Sequence, residues 1–238
     1  MKNLLLIGAS NYLAQELIKT LPMSTHIVGI CKEEDTERHT DFLTLKQNNL
    51  HKEIFDIAEK PLTWVDSFSN THGSFDSMVY FPCYSSLKPF LDISADEFQK
   101  SVEMNGKLPF LIAQKLIPGM KKIGHGRFVF ISTIWSIKGD PKKGNDYAIT
   151  KSMLNQLSKQ ITASFMQDNI TSASLMFGSV NMHIRSKTEP VKYTEENRVI
   201  EYKEIAEFIV TLLDEQKRSF AGATTLLDNG TLRIQGVY

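Results

Sequence analysis

The stretch Leu4-Leu5-Leu6-Ile7-Gly8-Ala9-Ser10-Asn11-Tyr12-Leu13-Ala14 lies near the start of the sequence. Its four consecutive apolar residues are typical of a buried strand. Leu13, Leu17 and Leu21 then repeat at the spacing of an amphipathic helix. A strand that passes through a glycine turn into a helix can bind a dinucleotide pyrophosphate at the amino terminus of the helix. The stretch therefore predicts a phosphate-binding turn.

This turn contains a single glycine. A GxxGxxG pattern places Gly8, Asn11 and Ala14 at its three small positions. Asparagine tolerates left-handed backbone angles better than most residues, and alanine is the next-smallest side chain where a helix packs on a strand. We therefore predict that Gly8, Ser10, Asn11 and Leu13 contact a dinucleotide cofactor. The alternative is an ordinary strand-turn-helix without a ligand.

Short apolar runs alternate with helical patterns along the rest of the chain. This alternation is typical of a parallel sheet with helices on both faces. We predict one α/β domain over residues 1–238, a doubly wound Rossmann fold of about seven strands, with a substrate lid at residues 183–200 where no periodicity is found. The predicted strands are Leu4 to Ile7, His26 to Cys31, Phe42 to Leu45, Ser77 to Phe81, Arg127 to Ser132, Ser172 to Met176 and Thr224 to Leu227.

Length and composition exclude several classes of function. The 238 residues suit one sizeable core, and equal numbers of acidic and basic residues leave no net charge to attract polyanions. No apolar run reaches the roughly 18–20 residues of a membrane-spanning helix. Cys31 and Cys83 form no CxxC pair, and the 6 histidines show no metal-ligand spacing. We therefore expect a soluble, cytoplasmic protein without nucleic-acid, membrane or metal partners.

The residues at the end of the second predicted strand indicate which dinucleotide the protein prefers. NAD-binding proteins of this architecture place an acid there, about 20 residues beyond the glycine turn, against the ribose hydroxyls. This chain has Cys31 and Lys32 instead, and a lysine ammonium can neutralise a 2′-phosphate. Lys32 therefore favours NADP(H) over NAD(H). The alternative is that Lys32 belongs to a solvated charge run, since Glu33, Glu34 and Asp35 follow it.

Tyr147 and Lys151 are four residues apart on a predicted helix, so their side chains share one face. A phenol has a reference pKa of about 10. An ammonium about 4 Å away stabilises the phenolate by at most about 4 kcal/mol at an effective dielectric constant of about 20. The pair therefore predicts an acid/base catalyst. Tyr84 and Lys88 have the same spacing, but Pro89 disfavours a helix there.

Three other polar residues accompany this pair. Ser132 and Thr133 end a buried strand, where parallel sheets bind ligands, and the Thr133 hydroxyl could hydrogen-bond a carbonyl oxygen. Asn105 lies on the apolar face of a helix. Pro109, four residues later, has no N–H, so we expect the main-chain carbonyl of Asn105 to bind elsewhere, such as to water.

In this combination the chain resembles the short-chain dehydrogenase/reductase (SDR) family over almost its whole length. The resemblance rests on Tyr147-Ala148-Ile149-Thr150-Lys151, Asn105-Gly106-Lys107-Leu108-Pro109-Phe110 and Gly178-Ser179-Val180-Asn181. It implies that Tyr147 is the acid/base and that Lys151 lowers its pKa and binds the nicotinamide ribose. It further implies a carbonyl-orienting hydroxyl at Thr133 and a relay water on Asn105.

The sequence departs from the family pattern at positions that we expect on the cofactor side. The family's Asn-Asn-Ala-Gly is replaced by Tyr80-Phe81-Pro82-Cys83, and a threonine of the loop after the sixth strand is replaced by Met182. By position, Phe81, Pro82 and Val180 are expected to contact the cofactor. The resemblance also implies a homodimer or homotetramer, built on the two helices that bear the catalytic asparagine and tyrosine.

These observations predict an NADP(H)-dependent oxidoreductase of ketoreductase type, which transfers hydride between a nicotinamide and a carbonyl or hydroxyl substrate. The substrate is a small molecule or an acyl chain on a carrier protein, because Lys138, Lys142 and Lys143 precede Tyr147 and could attract an anion, unless they are ordinary solvated lysines. The alternative is an SDR-like protein with weak or no catalysis, which senses a dinucleotide or binds a partner.

Overall fold

One parallel sheet organises the chain. Its seven strands follow the order β3-β2-β1-β4-β5-β6-β7, which confirms the doubly wound α/β prediction. The computed structural model describes residues 1–32, 40–45, 49–58, 62–139, 144–178, 180, 200–214, 216–217 and 219–228. The strands are β1 (Asn3–Ile7), β2 (His26–Cys31), β3 (Leu50–Ile54), β4 (Ser77–Tyr80), β5 (Gly126–Ile131), β6 (Ile170–Phe177) and β7 (Thr224–Leu227).

Helices cover both faces of the sheet and bury two separate cores. Helices α1 and α8 pack on one face, and α3, α5 and α7 pack on the other. In the described part of the chain, the α-helices are α1 (Tyr12–Thr20), α2 (Thr40–Thr44), α3 (Thr63–His72), α4 (Ala95–Val102), α5 (Leu108–Ile123), α6 (Trp135–Lys138), α7 (Asn145–Phe165) and α8 (Tyr202–Leu213).

The central position of β1 explains its unbroken apolar sequence. Leu4 and Leu6 face the core under α1 and α8, whereas Leu5 and Ile7 face the opposite core. All four side chains are fully buried. A parallel strand that is covered on both faces needs apolar residues at every position, so it lacks the alternation of a half-exposed strand.

The predicted third strand is wrong. Phe42 to Leu45 was expected to be extended, but Phe42 lies in α2, and β3 is Leu50–Ile54. Strand β3 is at the edge of the sheet and is only partly buried. An edge strand tolerates polar residues, so its mixed sequence does not give the apolar signal that identified the inner strands.

Part of the predicted lid can be placed. Residues 183–199 lie outside the described residues, whereas Ile200 is buried and pairs with Val180 in a parallel bridge. No helix within the described ranges is both long and apolar enough to cross a membrane.

Candidate active site

The carboxyl ends of four adjacent strands form the candidate site. Strand order reverses between β1 and β4, which lie side by side although two strands separate them in the sequence. Ligands of open α/β sheets bind at such a reversal, beyond the carboxyl ends of the strands. The residues that follow β1, β4, β5 and β6 therefore share one edge, and most of the predicted site residues follow these strands.

The turn after β1 is tightly packed around Gly8. The backbone of Gly8 has a φ of 81°, and the amides of Gly8 and Ala9 both donate to the carbonyl of Ile30, each at 2.9 Å. A Cβ atom at Gly8 would lie 3.0 Å from Cβ of Phe81 and 3.2 Å from Cδ of Pro82. Glycine is therefore required by both the backbone angle and the space. Phe81 and Pro82 enclose the turn from the β4 side.

Asn11 has a different backbone conformation from the one expected. Its backbone, with φ −60° and ψ 140°, is not left-handed, which corrects the reason for placing it at a glycine position. The Asn11 side chain accepts a hydrogen bond of 2.9 Å from the amide of Leu13 and so caps α1. The Leu13 side chain is buried in the core, and the Ser10 carbonyl accepts from the Gln15 side chain at 2.8 Å.

Lys32 lies at the end of β2, where the sequence predicted a 2′-phosphate ligand. Its Nζ lies 2.6 Å from Oδ2 of Asp56, in a pair whose side chains are 38% and 16% exposed. A phosphate at this position would compete with the Asp56 carboxylate for Lys32. Sequence reasoning missed Asp56 because it follows the polar edge strand β3, which was not recognised.

Lys151 is buried beside Tyr147 on α7. Its Nζ donates to the carbonyl of Ile131 at 2.6 Å and, over 3.4 Å, to the carbonyl of Pro82. The same nitrogen lies 5.8 Å from the centroid of the Tyr147 ring. Burial lowers the pKa of Lys151. The structure therefore brings the predicted pair together and fixes the lysine between the ends of β4 and β5.

The two hydroxyls after β5 have different surroundings. Ser132 donates to the main-chain carbonyl of Lys151 at 3.2 Å, which ties β5 to α7. Thr133 is also buried, and its Oγ1 accepts a bond of 3.3 Å from the amide of Trp135. A hydroxyl that accepts this bond still has a proton to donate. Of the two residues, Thr133 therefore better matches the predicted carbonyl-orienting role.

The helix that the sequence predicts around Asn105 is interrupted at this residue. Residues Glu103–Lys107 form a π-helical turn before Pro109. The buried amide side chain of Asn105 accepts from the Tyr84 amide at 2.9 Å and donates to the Tyr84 carbonyl at 2.9 Å and to Oγ1 of Thr150 at 2.7 Å. Asn105 therefore connects the segment after β4 to α7.

Tyr80 lies in the core rather than on the cofactor side that the sequence analysis expected. It was expected near the cofactor, but it is fully buried, and its hydroxyl donates to the carbonyl of Met104 at 2.7 Å. In a π-turn that carbonyl would accept from Pro109, five residues later, but proline has no N–H. Burial raises the pKa of Tyr80, so the hydroxyl keeps its proton. Tyr80 thus supports the turn that contains Asn105.

Asp146, directly before Tyr147, is a second residue that the sequence reasoning missed. Its buried carboxylate accepts from the Ser86 amide at 2.8 Å, from the Ser86 hydroxyl at 2.9 Å and from the Ser101 hydroxyl. Burial raises the pKa of Asp146, but these hydrogen bonds outweigh burial and lower it. Asp146 thereby fixes the first turn of α7 against α4 and the segment after β4.

Comparison with known proteins identifies the family. Residues 58–231 match a family model described as "Enoyl-(Acyl carrier protein) reductase", which covers well over half of the chain. The chain belongs to the short-chain dehydrogenase/reductase family. It is accordingly an NAD(P)-dependent SDR enzyme.

Individual SDR proteins are distant in sequence and close in fold. Senescence-associated protein 13 of Arabidopsis thaliana is 23% identical over 95% of this chain and 88% of its own length. A gluconate 5-dehydrogenase from Burkholderia cenocepacia, solved with NADP and tartrate, has a TM-score of 0.82 at 20% identity over 98% of this chain and 95% of its own. L-sorbose reductase from Gluconobacter frateurii, solved with NADPH and L-sorbose, has a TM-score of 0.81 at 18% identity over 98% and 97%.

The residues of this SDR site fit a nicotinamide dinucleotide. Lys151 has three N–H donors, and the carbonyls of Ile131 and Pro82 occupy two of them, which leaves one for a ribose hydroxyl. The amino terminus of α1 can face the pyrophosphate, although Asn11 already uses the amide of Leu13. Val180 follows β6 and pairs with Ile200 in a parallel bridge, and its contact with the nicotinamide is a prediction from its position. These cofactor contacts remain predictions.

Proposed function

We propose that this SDR enzyme is an NADP(H)-dependent ketoreductase in which Tyr147 is the acid/base. The position of Lys151 is the observation that carries the proposal. Its ammonium is buried, is fixed by the carbonyl of Ile131 and lies 5.8 Å from the Tyr147 ring centroid. A buried cation at this place favours the phenolate form of the neighbouring tyrosine, which acid/base catalysis near neutral pH requires.

A nicotinamide held beside Lys151 would supply the hydride for the carbonyl carbon and, when oxidised, would accept a hydride in the reverse reaction. The Tyr147 hydroxyl gives its proton to the carbonyl oxygen, so that the carbonyl becomes an alcohol. Lys151 stabilises the phenolate that remains on Tyr147. The Thr133 hydroxyl donates a hydrogen bond to the same oxygen and stabilises the negative charge that develops on it.

A proton must then return to Tyr147. We propose that the main-chain carbonyl of Asn105 binds a water molecule and that this water returns the proton to Tyr147 by way of Lys151. The side chain of Asn105 supports this role, because its three hydrogen bonds to Tyr84 and Thr150 fix the π-turn relative to α7. The Tyr80 hydroxyl also holds the π-turn, and Asp146 holds the first turn of α7.

NADP(H) is favoured over NAD(H) by the end of β2. Lys32 lies where an acid would otherwise contact the ribose hydroxyls, and two structural neighbours at 20% and 18% identity were solved with NADP and NADPH. The 2′-phosphate would either replace Asp56 as the ion-pair partner of Lys32 or bind Lys32 together with Asp56. Because this ion pair must reorganise, we expect a moderate preference of about tenfold rather than a strict one.

We propose that the substrate is a small carbonyl compound or an acyl chain on a carrier protein. The lysines near α6 support this proposal in part. Nζ of Lys138 lies 4.6 Å from the Trp135 ring centroid, whereas Lys142 and Lys143 lie outside the described residues. The description of the matching family model, an acyl-carrier-protein reductase, supports the second class.

A homodimer or homotetramer is the proposed assembly. Phe110 on α5 and Ile149 and Met153 on α7 are 49%, 48% and 41% exposed. Apolar side chains on two neighbouring helices form the kind of face that a second copy covers. We propose the soluble cytoplasm as the compartment.

Replacement of Tyr147 by phenylalanine tests the catalytic proposal. Tyr147→Phe removes the proton donor and keeps the ring, so we expect turnover of NADPH with a ketone panel to fall at least about 100-fold, with NADPH affinity retained. The matched control is Tyr84→Phe, which has the same YxxxK spacing and should keep wild-type turnover. Wild-type turnover in Tyr147→Phe contradicts the proposal.

A further inference from the structure

Three histidines converge at a place remote from the catalytic edge. His26 begins β2, His51 lies on β3 and His72 ends α3. The ring centroids of His51 and His72 are 4.5 Å apart, and those of His26 and His72 are 5.4 Å apart. A carboxylate joins them, since Oε1 of Glu53 lies 2.7 Å from Nε2 of His51. Histidines from three separate segments leave no local spacing in the sequence, which is why the sequence indicated no metal cluster.

The fold itself dictates this convergence. Side chains two residues apart on a strand point to the same face, so His51 and Glu53 lie together on β3. His51 pairs with Val28 of β2, and His26 is two residues before Val28 on the same face. Helix α3 packs on that face, and its last residue, His72, lies beside His26 and His51.

We propose that His51, Glu53 and His72 bind a first-row divalent metal ion such as Zn²⁺. Each residue offers one ligand atom, and the three atoms lie within 4.8 Å of one another. Bonds of about 2.0–2.1 Å in a tetrahedral site place ligand atoms roughly 3.3 Å apart. The side chains of His51 and Glu53 are 45% and 31% exposed, so small rotations can close this difference.

The ligand types favour a transition metal over Ca²⁺ or Mg²⁺. Two imidazoles and one carboxylate suit Zn²⁺, Ni²⁺, Co²⁺ or Cu²⁺, whereas Ca²⁺ and Mg²⁺ prefer oxygen ligands throughout. His26 would support the site indirectly, because its Nε2 lies 3.4 Å from Nδ1 of His72 and can hold that ring in orientation. The carboxyl end of α3 also favours a cation beside His72.

A metal ion here would fasten the edge strand β3 to α3. Within the described residues, strand β3 pairs with β2 alone, and it is only partly buried. Its carboxyl end leads to Asp56, the partner of Lys32. The bound ion would therefore stabilise the side of the sheet that supports the predicted 2′-phosphate position, without touching the reacting atoms.

Calorimetric titration of the untagged protein with Zn²⁺ tests the site, with Co²⁺ absorption as a second probe. We expect about one equivalent to bind with micromolar affinity, and His51→Gln, His72→Gln and Glu53→Gln each to weaken binding at least about 10-fold. We expect His26→Gln to weaken it about 10-fold as well. The controls are His125→Gln, which removes a histidine outside the cluster, and Cys83→Ser, which removes an exposed thiol; both should bind like wild type.

Thermal unfolding keeps the test decisive if a histidine variant folds poorly. Glu53 is partly exposed, so Glu53→Gln should fold, and Zn²⁺ should raise the melting temperature of wild type and of His125→Gln but not of Glu53→Gln. Absence of Zn²⁺ binding below millimolar concentration overturns the proposal. Equal binding by wild type and the three ligand variants also overturns it, since the ion then binds elsewhere.

Discussion

Single residues around Tyr147 show how a buried charge can organise a site. Within the described part of the chain, the hydrogen bonds to the Asp146 carboxylate come from two serine hydroxyls and the Ser86 amide rather than from a cation. A charged acceptor forms stronger hydrogen bonds than a neutral one, which offsets the cost of burying the charge. The tyrosine that follows Asp146 in the sequence is thereby held at one position at the start of α7.

Removal of this charge should destabilise the protein. We expect Asp146→Asn to lower the free energy of unfolding by roughly 1.5–3 kcal/mol at pH 7, because the new amide has a donor group facing the donors of Ser86 and Ser101. Denaturant unfolding measures the loss. The exposed Asp96→Asn is the control and should cost less than about 1 kcal/mol.

The same variant has a defined pH dependence. The pKa of Asp146 is lowered in the folded protein, so its contribution to stability is present above the unfolded pKa of about 3.9 and is lost as pH falls through the folded pKa. The stability difference between wild type and Asp146→Asn should therefore shrink below about pH 4. A difference that stays constant to pH 2 would show that the charge is not what stabilises the fold.

At the scale of elements, the π-turn Glu103–Lys107 connects β4 to α7. Proline at position 109 removes a backbone donor, and the Tyr80 hydroxyl from β4 replaces it at the carbonyl of Met104. Asn105, one residue later, connects the same turn to α7. Tyr80, which replaces the family's asparagine at the end of β4, thus supports the turn that contains Asn105.

Loss of the Tyr80 hydroxyl should affect turnover through this turn. We expect Tyr80→Phe to lower stability by about 1–2 kcal/mol, because the Met104 carbonyl loses its donor inside the core. We also expect kcat to fall severalfold while KM for NADPH stays unchanged, since Asn105 shifts and the cofactor side does not. Steady-state kinetics beside Tyr84→Phe measure this; a change in KM alone would indicate that Tyr80 acts on the cofactor.

The limits of sequence reasoning were different for strands and for side chains. The inner strands were predicted to within two residues at either end, because burial on both faces requires continuous apolar runs. The edge strand Leu50–Ile54 was missed because one side of it meets solvent, and Asp56 and the histidine cluster were missed with it. The contacts of Tyr80 and Asp146 depend on partners 24 and 60 residues away in the sequence, which no local pattern shows.

For the whole molecule, the central question is whether a depleted glycine turn still binds a dinucleotide. The structure brings the predicted catalytic residues Tyr147 and Lys151 together, and Asn105 hydrogen-bonds to the helix that bears them. On the other side, Gly8 is packed against Phe81, and Asn11 uses the amide of Leu13. We therefore expect dinucleotide binding to depend on the amino terminus of α1 as a whole and on Lys32.

The most direct measurement is the fluorescence of reduced nicotinamide as NADPH or NADH is titrated into the purified protein. We predict micromolar NADPH binding, with NADH about tenfold weaker, and a Lys32→Ala variant that binds both equally because the 2′-phosphate has lost its cation. The Lys88→Ala variant is the control for a lost surface charge and should behave like wild type. Absence of binding of either dinucleotide up to millimolar concentration would contradict the proposed function and favour a partner-binding role for the fold.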